Sequence, residues 1–123
     1  LGKSNYIKLS VDGSELFIGR NNQQNDYLTH RFAKPNDMWF HAQDIQGSHL
    51  ILRTDHEPDD MLLSTVAQYA AFYSKGRNSS KVPVDYTLIK NIKKPPGSPL
   101  GFVIFSTHQT MIVEPKEPPQ KAK

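Results

Sequence analysis

The sequence lacks cysteine altogether, which excludes disulfide bonds and thiolate metal sites and is typical of a cytosolic protein. It also lacks common catalytic signatures. No Ser-His-Asp order or pair of carboxylates is evident, and Gly19 stands without the further glycines that a phosphate-binding loop requires. The histidines are not spaced in the short pairs of a zinc module. The apolar runs are too short to cross a bilayer. We therefore predict no cofactor, no metal site and no membrane insertion.

The chain does contain enough apolar material for one hydrophobic core. It has 123 residues, of which 37% are apolar, and a chain of this size buries most of its unfolded surface without covalent cross-links. We predict a single domain over residues 1–115 and a disordered tail over residues 116–123, where proline and lysine dominate. Because Leu1–Asn5 contains no initiator methionine, we expect a fragment of a longer protein.

Apolar periodicity predicts hairpin-paired strands and two helices. A short helix is predicted to begin at Asn25-Asp26 and to stop before Pro35, and a longer one to run from Pro58 to Gly76. Asp12-Gly13 is a turn signal between the first two strands. Because the strands come in pairs, the fold class is α+β, a mostly antiparallel sheet with one short and one long helix. The predicted strands are residues 6–11, 15–19, 37–43, 48–53, 82–89, 102–106 and 110–113, the last two forming a closing hairpin.

The net charge of +3 is unevenly distributed. Between Lys75 and Lys94 the single acidic residue is Asp85, and a local positive cluster attracts polyanions, most commonly nucleic acid. A solvated face that serves only solubility is the alternative. The basic residues of this segment are Lys75, Arg77, Lys81, Lys90, Lys93 and Lys94.

The stretch from Phe17 to Asp26 begins with apolar residues and continues as a row of amides. A guanidinium is a forked donor suited to phosphate, and side-chain amides can both donate to and accept from base edges. The same composition is common in tight loops, because asparagine tolerates left-handed backbone angles. The residues predicted to line a polar recognition site here are Arg20, Asn21, Asn22, Asn25 and Asp26.

Trp39 and His41 lie on one face of the predicted strand over residues 37–43, because side chains alternate along a strand. Single-stranded RNA is often held by bases that stack on aromatic rings, so this pair is a candidate stacking platform. A tryptophan in a small domain is also a common core residue. The polar neighbours Asp37 and Gln43 favour the exposed alternative.

Three histidines, His30, His41 and His49, could be brought together by the predicted hairpin. A metal site, or the acid–base pair of a small RNA hydrolase, would need such proximity. Histidines on neighbouring strands more commonly hydrogen-bond to nearby groups. We predict neither a metal-binding nor a catalytic role, and we place His49 in the polar recognition site.

A series of short motifs runs along the chain: Gly19-Arg20-Asn21-Asn22, Asn25-Asp26, Trp39-Phe40-His41-Ala42, Gly47-Ser48-His49, Phe72-Tyr73-Ser74-Lys75, Asp85-Tyr86-Thr87, Lys93-Lys94-Pro95-Pro96-Gly97 and Gly101-Phe102-Val103-Ile104. In this order they resemble the RNA-binding domain (NFACT-R) of the NFACT family, which includes the fibronectin-binding-protein-A-like, RqcH and NEMF proteins. The resemblance covers residues 6–115. Thr65-Val66-Ala67 departs from it, because relatives often have Glu-Ala-Ala at this helix position.

The resemblance implies a role in ribosome-associated quality control, in which relatives bind obstructed large subunits and recruit tRNA to extend the stalled peptide with a C-terminal tail. It implies that this domain contacts RNA, either tRNA or large-subunit rRNA, in the cytoplasm and at the ribosome. Other domains of the parent protein would be needed for tail synthesis.

Together with the residue patterns, the resemblance predicts a non-catalytic RNA-binding module. An adhesion module for an extracellular-matrix protein such as fibronectin, which the older family name suggests, is one alternative. A small hydrolase that uses His41 and His49 is the other. The residues predicted to meet the phosphate backbone are Lys75, Arg77, Lys90, Lys93 and Lys94.

Overall fold

The computed structural model describes residues 5–119, in which paired strands are interrupted by two α-helices. The strands are β1 (Ile7–Val11), β2 (Ser14–Ile18), β3 (Met38–Ala42), β4 (Leu50–Arg53), β5 (Val82–Leu88), β6 (Ile92–Lys93), β7 (Ile104–Phe105) and β8 (Gln109–Val113). The helical segments are α1 (Asn22–Tyr27), a π-helical turn that continues it (Leu28–Phe32), α2 (Asp60–Phe72) and a 3₁₀ turn (Ile89–Asn91).

The main sheet is antiparallel throughout and has the strand order β1-β2-β4-β3-β5-β8. The hairpin predicted around Asp12-Gly13 is confirmed, with β1 paired to β2. Both turn residues have positive φ, 50° and 80°, as a type I′ hairpin turn requires. The pairing predicted between the third and fourth strands is also confirmed, with Trp39 opposite Ile51. The predicted α+β fold class is therefore correct.

Both faces of the sheet are covered. On one face, Phe40 of β3 and Val66 of α2 belong to the same buried cluster. On the other face, Trp39 of β3 packs in a second cluster with Leu28 of the π-helical turn and Phe105 of β7. Because each central strand is buried on both sides, β4 is apolar along most of its length instead of alternating.

The closing hairpin predicted from residues 102–106 and 110–113 is wrong. β7 pairs with β6 in a separate two-stranded ribbon, with Lys93 opposite Ile104, while β8 pairs with β5. This arrangement brings the ring centroid of Phe105 to 5.7 Å from that of Trp39, on the second face of the sheet. Burial of aromatic surface between distant segments accounts for the difference, and a local pattern does not reveal it.

The end of the described chain also differs from the expected disordered tail. Within residues 114–119, the N–H of Lys116 donates to the carbonyl of Gln68 in α2 at 3.2 Å, and Pro118 is buried. The hydrogen bond joins the proline-rich segment to α2. Residues 120–123 lie outside the described part of the chain.

Arg53 and Asp37 form an ion pair whose loss should be costly. Arg53 donates to Asp37 Oδ2 at 2.7 Å from Nη2, and Asp37 is only 5% exposed. We expect Arg53→Met to lower the free energy of unfolding by about 3–5 kcal/mol, because a buried carboxylate would lose its partner. Urea denaturation measures the change. The control is Lys8→Met, which breaks the exposed Lys8–Glu15 pair and should cost at most about 1 kcal/mol; equal losses would contradict the assignment.

Candidate nucleic-acid interface

A cleft of about 660 Å³ lies where three segments meet: the start of α1, the loop between β3 and β4, and the end of α2 with the chain that follows it. Six residues predicted for RNA contact line this cleft, namely Arg20, Asn21, Asn22, Asn25, Lys75 and Arg77. The fold thus brings together two groups that are far apart in the sequence. The other lining residues are Gln46, Gly47, Ser48, Phe72, Tyr73 and Ser74.

Reciprocal hydrogen bonds at the start of α1 shape the first wall of the cleft. The side chain of Asn21 accepts from the N–H of Gln24 at 2.9 Å, and Gln24 Oε1 accepts from the N–H of Arg20 at 2.7 Å. This capping arrangement starts the helix at Asn22, earlier than the Asn25-Asp26 start predicted from the sequence. Arg20 and Asn22 are left exposed at the cleft.

Gly19 allows α1 to lie close to the sheet. A Cβ at this position would stand 2.0 Å from Asn25 Oδ1 and 2.9 Å from the Asn25 backbone nitrogen. The N–H of Gly19 donates to the carbonyl of His49 at 3.1 Å, and the N–H of His49 donates to Asn25 Oδ1 at 3.0 Å. Asn25 therefore ties α1 to the chain that enters β4, and only glycine leaves room for this contact.

The floor of the cleft is a backbone bridge between the β3–β4 loop and the end of α2. The N–H of Ser48 donates to the carbonyl of Tyr73 at 2.9 Å, and the N–H of Lys75 donates to the carbonyl of Gln46 at 2.9 Å. These bonds fix the position of Tyr73 and Lys75 relative to the loop between β3 and β4.

Gly47 makes this bridge possible. It lies opposite Ser74, and a Cβ on Gly47 would stand 2.9 Å from Ser74 Cβ. Because the chain turns to pair with Gly47, α2 ends at Phe72 and not at Gly76, where the sequence predicts its end.

The cleft is positively charged. Arg20, Lys75 and Arg77 are exposed and make no ion pair with any residue in the described range 5–119. Among the described residues that line it there is no Asp or Glu. The guanidinium carbon of Arg77 lies 4.4 Å from the ring centroid of Phe72, a distance typical of a cation–π contact. The cleft thus combines cations, amides and aromatic surface.

Tyr73 contributes a hydroxyl to this charged environment. Burial is the main influence that raises the pKa of Tyr73, and Glu117 adds to it, whereas Arg77 and Arg20 act in the opposite direction. The phenol therefore stays neutral at physiological pH and can donate a hydrogen bond.

His49 is part of the buried framework and does not line the cleft. It is 4% exposed, and its Nδ1 accepts from Trp39 Nε1–H at 3.1 Å and lies 2.7 Å from Thr29 Oγ1. Because an indole N–H can only donate, Nδ1 is unprotonated and the neutral ring carries its proton on Nε2. Burial, with smaller contributions from His41 and His30, lowers the pKa of His49 to about 3.

Trp39 of the predicted stacking platform is not open to a ligand. The Trp39 and His41 rings do stack, with centroids 5.7 Å apart and planes 10° apart. Trp39, however, is 2% exposed and packs beneath Phe105, so the core interpretation is correct for this residue. The hydrolase hypothesis also loses support, because a general acid or base must reach its substrate and His49 is buried.

Asp26 and Lys94 form an ion pair within the fold. Asp26 Oδ1 accepts from Lys94 Nζ at 2.7 Å and from the N–H of Gly101 at 2.9 Å. Burial is the largest influence on the pKa of Asp26 and would raise it, but these two hydrogen bonds together hold the pKa below its ordinary value. The pair fastens the loop over residues 94–101 to α1, so the charge of Lys94 is largely neutralised.

Lys90 and Lys93 are exposed on the 3₁₀ turn and on β6, respectively, and neither belongs to the lining of the cleft. Their predicted phosphate contacts would extend the basic surface beyond the cleft.

Phe72, Tyr73, Gln46 and Ser48 line the cleft but were not predicted as site residues. The aromatic pair follows the apolar period of α2, which is the pattern of a core face. One sequence feature could have identified Phe72 and Tyr73 as site residues. They stand near the end of the helix, directly before the basic residues Lys75 and Arg77. Gln46 and Ser48 are brought in by the bridge around Gly47, which no sequence pattern indicates.

Two negative findings apply to residues 5–119. Within this range no group of three or more His, Asp or Glu side chains is arranged to hold a metal ion. No helix in the same range combines the length and apolarity needed to cross a bilayer.

The profile of the NFACT protein RNA-binding domain matches residues 3–106. This chain belongs to that family. It is 45% identical over 106 residues to the Rqc2 homolog RqcH of Bacillus subtilis (strain 168), which covers 86% of this chain and 18% of the relative. It is 41% identical over 110 residues to the Rqc2 homolog RqcH of Streptococcus suis (strain 05ZYH33), which covers 89% of this chain and 20% of that relative. The chain thus spans about a fifth of the length of these curated relatives.

A solved structure has the same fold. The C-terminal part of the fibronectin/fibrinogen-binding protein from Streptococcus suis superposes with a TM-score of 0.82 at 42% sequence identity. The match covers 89% of this chain and 45% of the other. The resemblance to the NFACT family predicted from the motifs is confirmed.

Gly19→Ala should destabilise the domain by about 1–3 kcal/mol, because the added methyl group would displace Asn25 from its contact with His49. Thermal and urea unfolding measure the loss. Ser10→Ala, on the exposed side of β1, is the control and should change stability by less than about 0.5 kcal/mol. Unchanged stability in Gly19→Ala would mean that α1 does not depend on this close approach.

His49 should make the domain less stable in mild acid. The unfolded imidazole has a pKa of about 6.5, and in the folded state the pKa is about 3. Below pH 6.5 the unfolded chain binds a proton that the folded chain does not, so stability falls as pH falls toward 3. We expect a loss of about 2 kcal/mol from His49 between pH 7 and pH 5. Urea denaturation at the two pH values tests this. An NMR titration in which the His49 ring protonates near pH 6.5 in the folded protein would contradict it.

Proposed function

We propose that this domain is a non-catalytic RNA-binding module and that the cleft is its main contact surface. The observation that carries the proposal is the composition of the cleft. Arg20, Lys75 and Arg77 surround a recess whose described lining has no carboxylate, and amide and aromatic side chains lie between them. Guanidinium and ammonium groups bind phosphate, while amides and rings contact bases. Membership of a family of RNA-binding domains supports the same conclusion.

The RNA in question would be tRNA or large-subunit rRNA. The relatives named Rqc2 homolog RqcH support a place in ribosome-associated quality control, in the cytoplasm and at the ribosome. In that setting this domain would supply RNA contact, and the remaining domains of the parent protein would support C-terminal tailing of stalled nascent chains.

Replacing the cations of the cleft should weaken RNA binding and its salt dependence together. For each of Arg20→Ala, Lys75→Ala and Arg77→Ala, we expect the slope of log affinity against log salt to become shallower by about 0.7 to 0.9 if one phosphate contact is lost. Fluorescence anisotropy with tRNA between about 50 and about 200 mM salt measures the slope. Lys8→Ala removes an exposed charge outside the cleft lining and serves as the control. Slopes equal to that of the unmodified protein in all three variants would exclude the cleft.

Replacing the exposed Lys93 by alanine tests whether the RNA-binding surface extends beyond the cleft. Lys93→Ala is a cleaner probe than Lys94→Ala, because Lys94 is paired with Asp26 and its loss would also release the 94–101 loop.

Adhesion to a matrix protein is the second candidate function. It is favoured by the similarity to the C-terminal part of a fibronectin/fibrinogen-binding protein. Binding to immobilised fibronectin that persists at high salt, with no binding of RNA at low salt, would favour adhesion over the RNA-binding proposal.

A further inference from the structure

We propose that the cleft receives an unpaired nucleotide of single-stranded RNA, with its base stacked at the end of α2, and that it discriminates against an A-form duplex. This inference rests on the proposed RNA-binding function and specifies which form of RNA the cleft selects.

The size of the cleft is the first argument. Its volume of about 660 Å³ lies within the range of about 300–1,000 Å³ that encloses single small molecules. A duplex presents ribose hydroxyls and phosphates across a wide, shallow minor groove, and its bases stay stacked inside. A duplex could touch the rim of the cleft through its phosphates but could not fill it.

The aromatic end of the cleft is the second argument. The Phe72 and Tyr73 rings lie with centroids 5.2 Å apart and planes 86° apart. Arg77 lies over the Phe72 ring and adds a guanidinium plane. Unpaired bases stack on aromatic rings and on guanidinium planes. These groups therefore offer the stacking surface that buried Trp39 cannot.

The amide of Asn25 is the third argument. Asn25 is 5% exposed, and its Oδ1 is engaged by the N–H of His49. The side chain lines the cleft, and its Nδ2 is not among the buried atoms that lack a partner, so this donor is open to the cleft and available to a ligand acceptor. The paired edges of a duplex are already occupied, whereas an unpaired base offers its edge to this amide and to nearby Gln46.

The test compares a short unstructured RNA strand with the duplex that it forms with its complement, using fluorescence anisotropy and the 123-residue chain. We expect the single strand to bind at least about tenfold more tightly. Tyr73→Leu should weaken single-strand binding by about 5- to 150-fold, the effect of losing one stacked base. Duplex binding should change little, and Tyr73→Phe should retain most of the single-strand affinity.

Equal affinity for the two RNAs, or an equal effect of Tyr73→Leu on both, would overturn this inference while leaving the proposed function intact. Absence of binding to either RNA at low salt would instead overturn the proposed function itself. If Tyr73→Leu does not fold, photocrosslinking of the unmodified chain to a 4-thiouridine-labelled strand replaces it. Crosslinks within residues 72–77 support the inference, and crosslinks confined to residues 90–94 contradict it.

Discussion

The hydrogen bond from the His49 backbone to the Asn25 side chain is the contact on which the rest of the site depends. It joins α1 to the chain entering β4 at 3.0 Å, and the glycine at position 19 lets the two approach closely enough to form it. His49 in turn accepts from Trp39, so the same junction reaches the second buried cluster of the sheet. The position of the cleft wall is thus determined by the core and is not the product of a flexible loop.

This junction explains why polar residues in one short stretch have different roles. Asn21 and Gln24 stabilise the first turn of α1 through reciprocal hydrogen bonds. Asn25 is mostly buried and orders the junction, whereas Asn22 and Arg20 remain exposed. The structural interpretation of the amide row is therefore correct for Asn21, Gln24 and Asn25, whereas RNA contact by the exposed Arg20 and Asn22 stays a prediction. Residue type alone does not separate these roles, because any asparagine side chain can cap a helix, bridge two backbone segments or bind a ligand.

Features that depend on local sequence were predictable, and features that depend on distant contacts were not. The Asp12-Gly13 hairpin follows from two neighbouring strands and a turn that needs positive φ. The pairing of β7 with β6, in contrast, is favoured by the contact between Phe105 and Trp39, which lie far apart in the chain. Phe105 also covers the Trp39 ring. This one unpredicted contact therefore explains why the predicted closing hairpin is wrong and why Trp39 is not an exposed stacking surface.

The basic residues show the same limit, because the sequence does not reveal which of their charges are neutralised in the fold. Lys75 and Lys94 belong to a single basic segment of the sequence, and counting charges treats them alike. In the fold, Lys94 lies 2.7 Å from the carboxylate of Asp26 and stabilises a loop, whereas Lys75 faces a cleft whose described lining includes no carboxylate. An ion pair within the protein lowers the potential that a polyanion experiences, and an unpaired lysine contributes fully to it. Counting charges in the sequence therefore overstates the positive potential around Lys94, whereas no ion pair within the described residues offsets the charges of Arg20, Lys75 and Arg77 at the cleft.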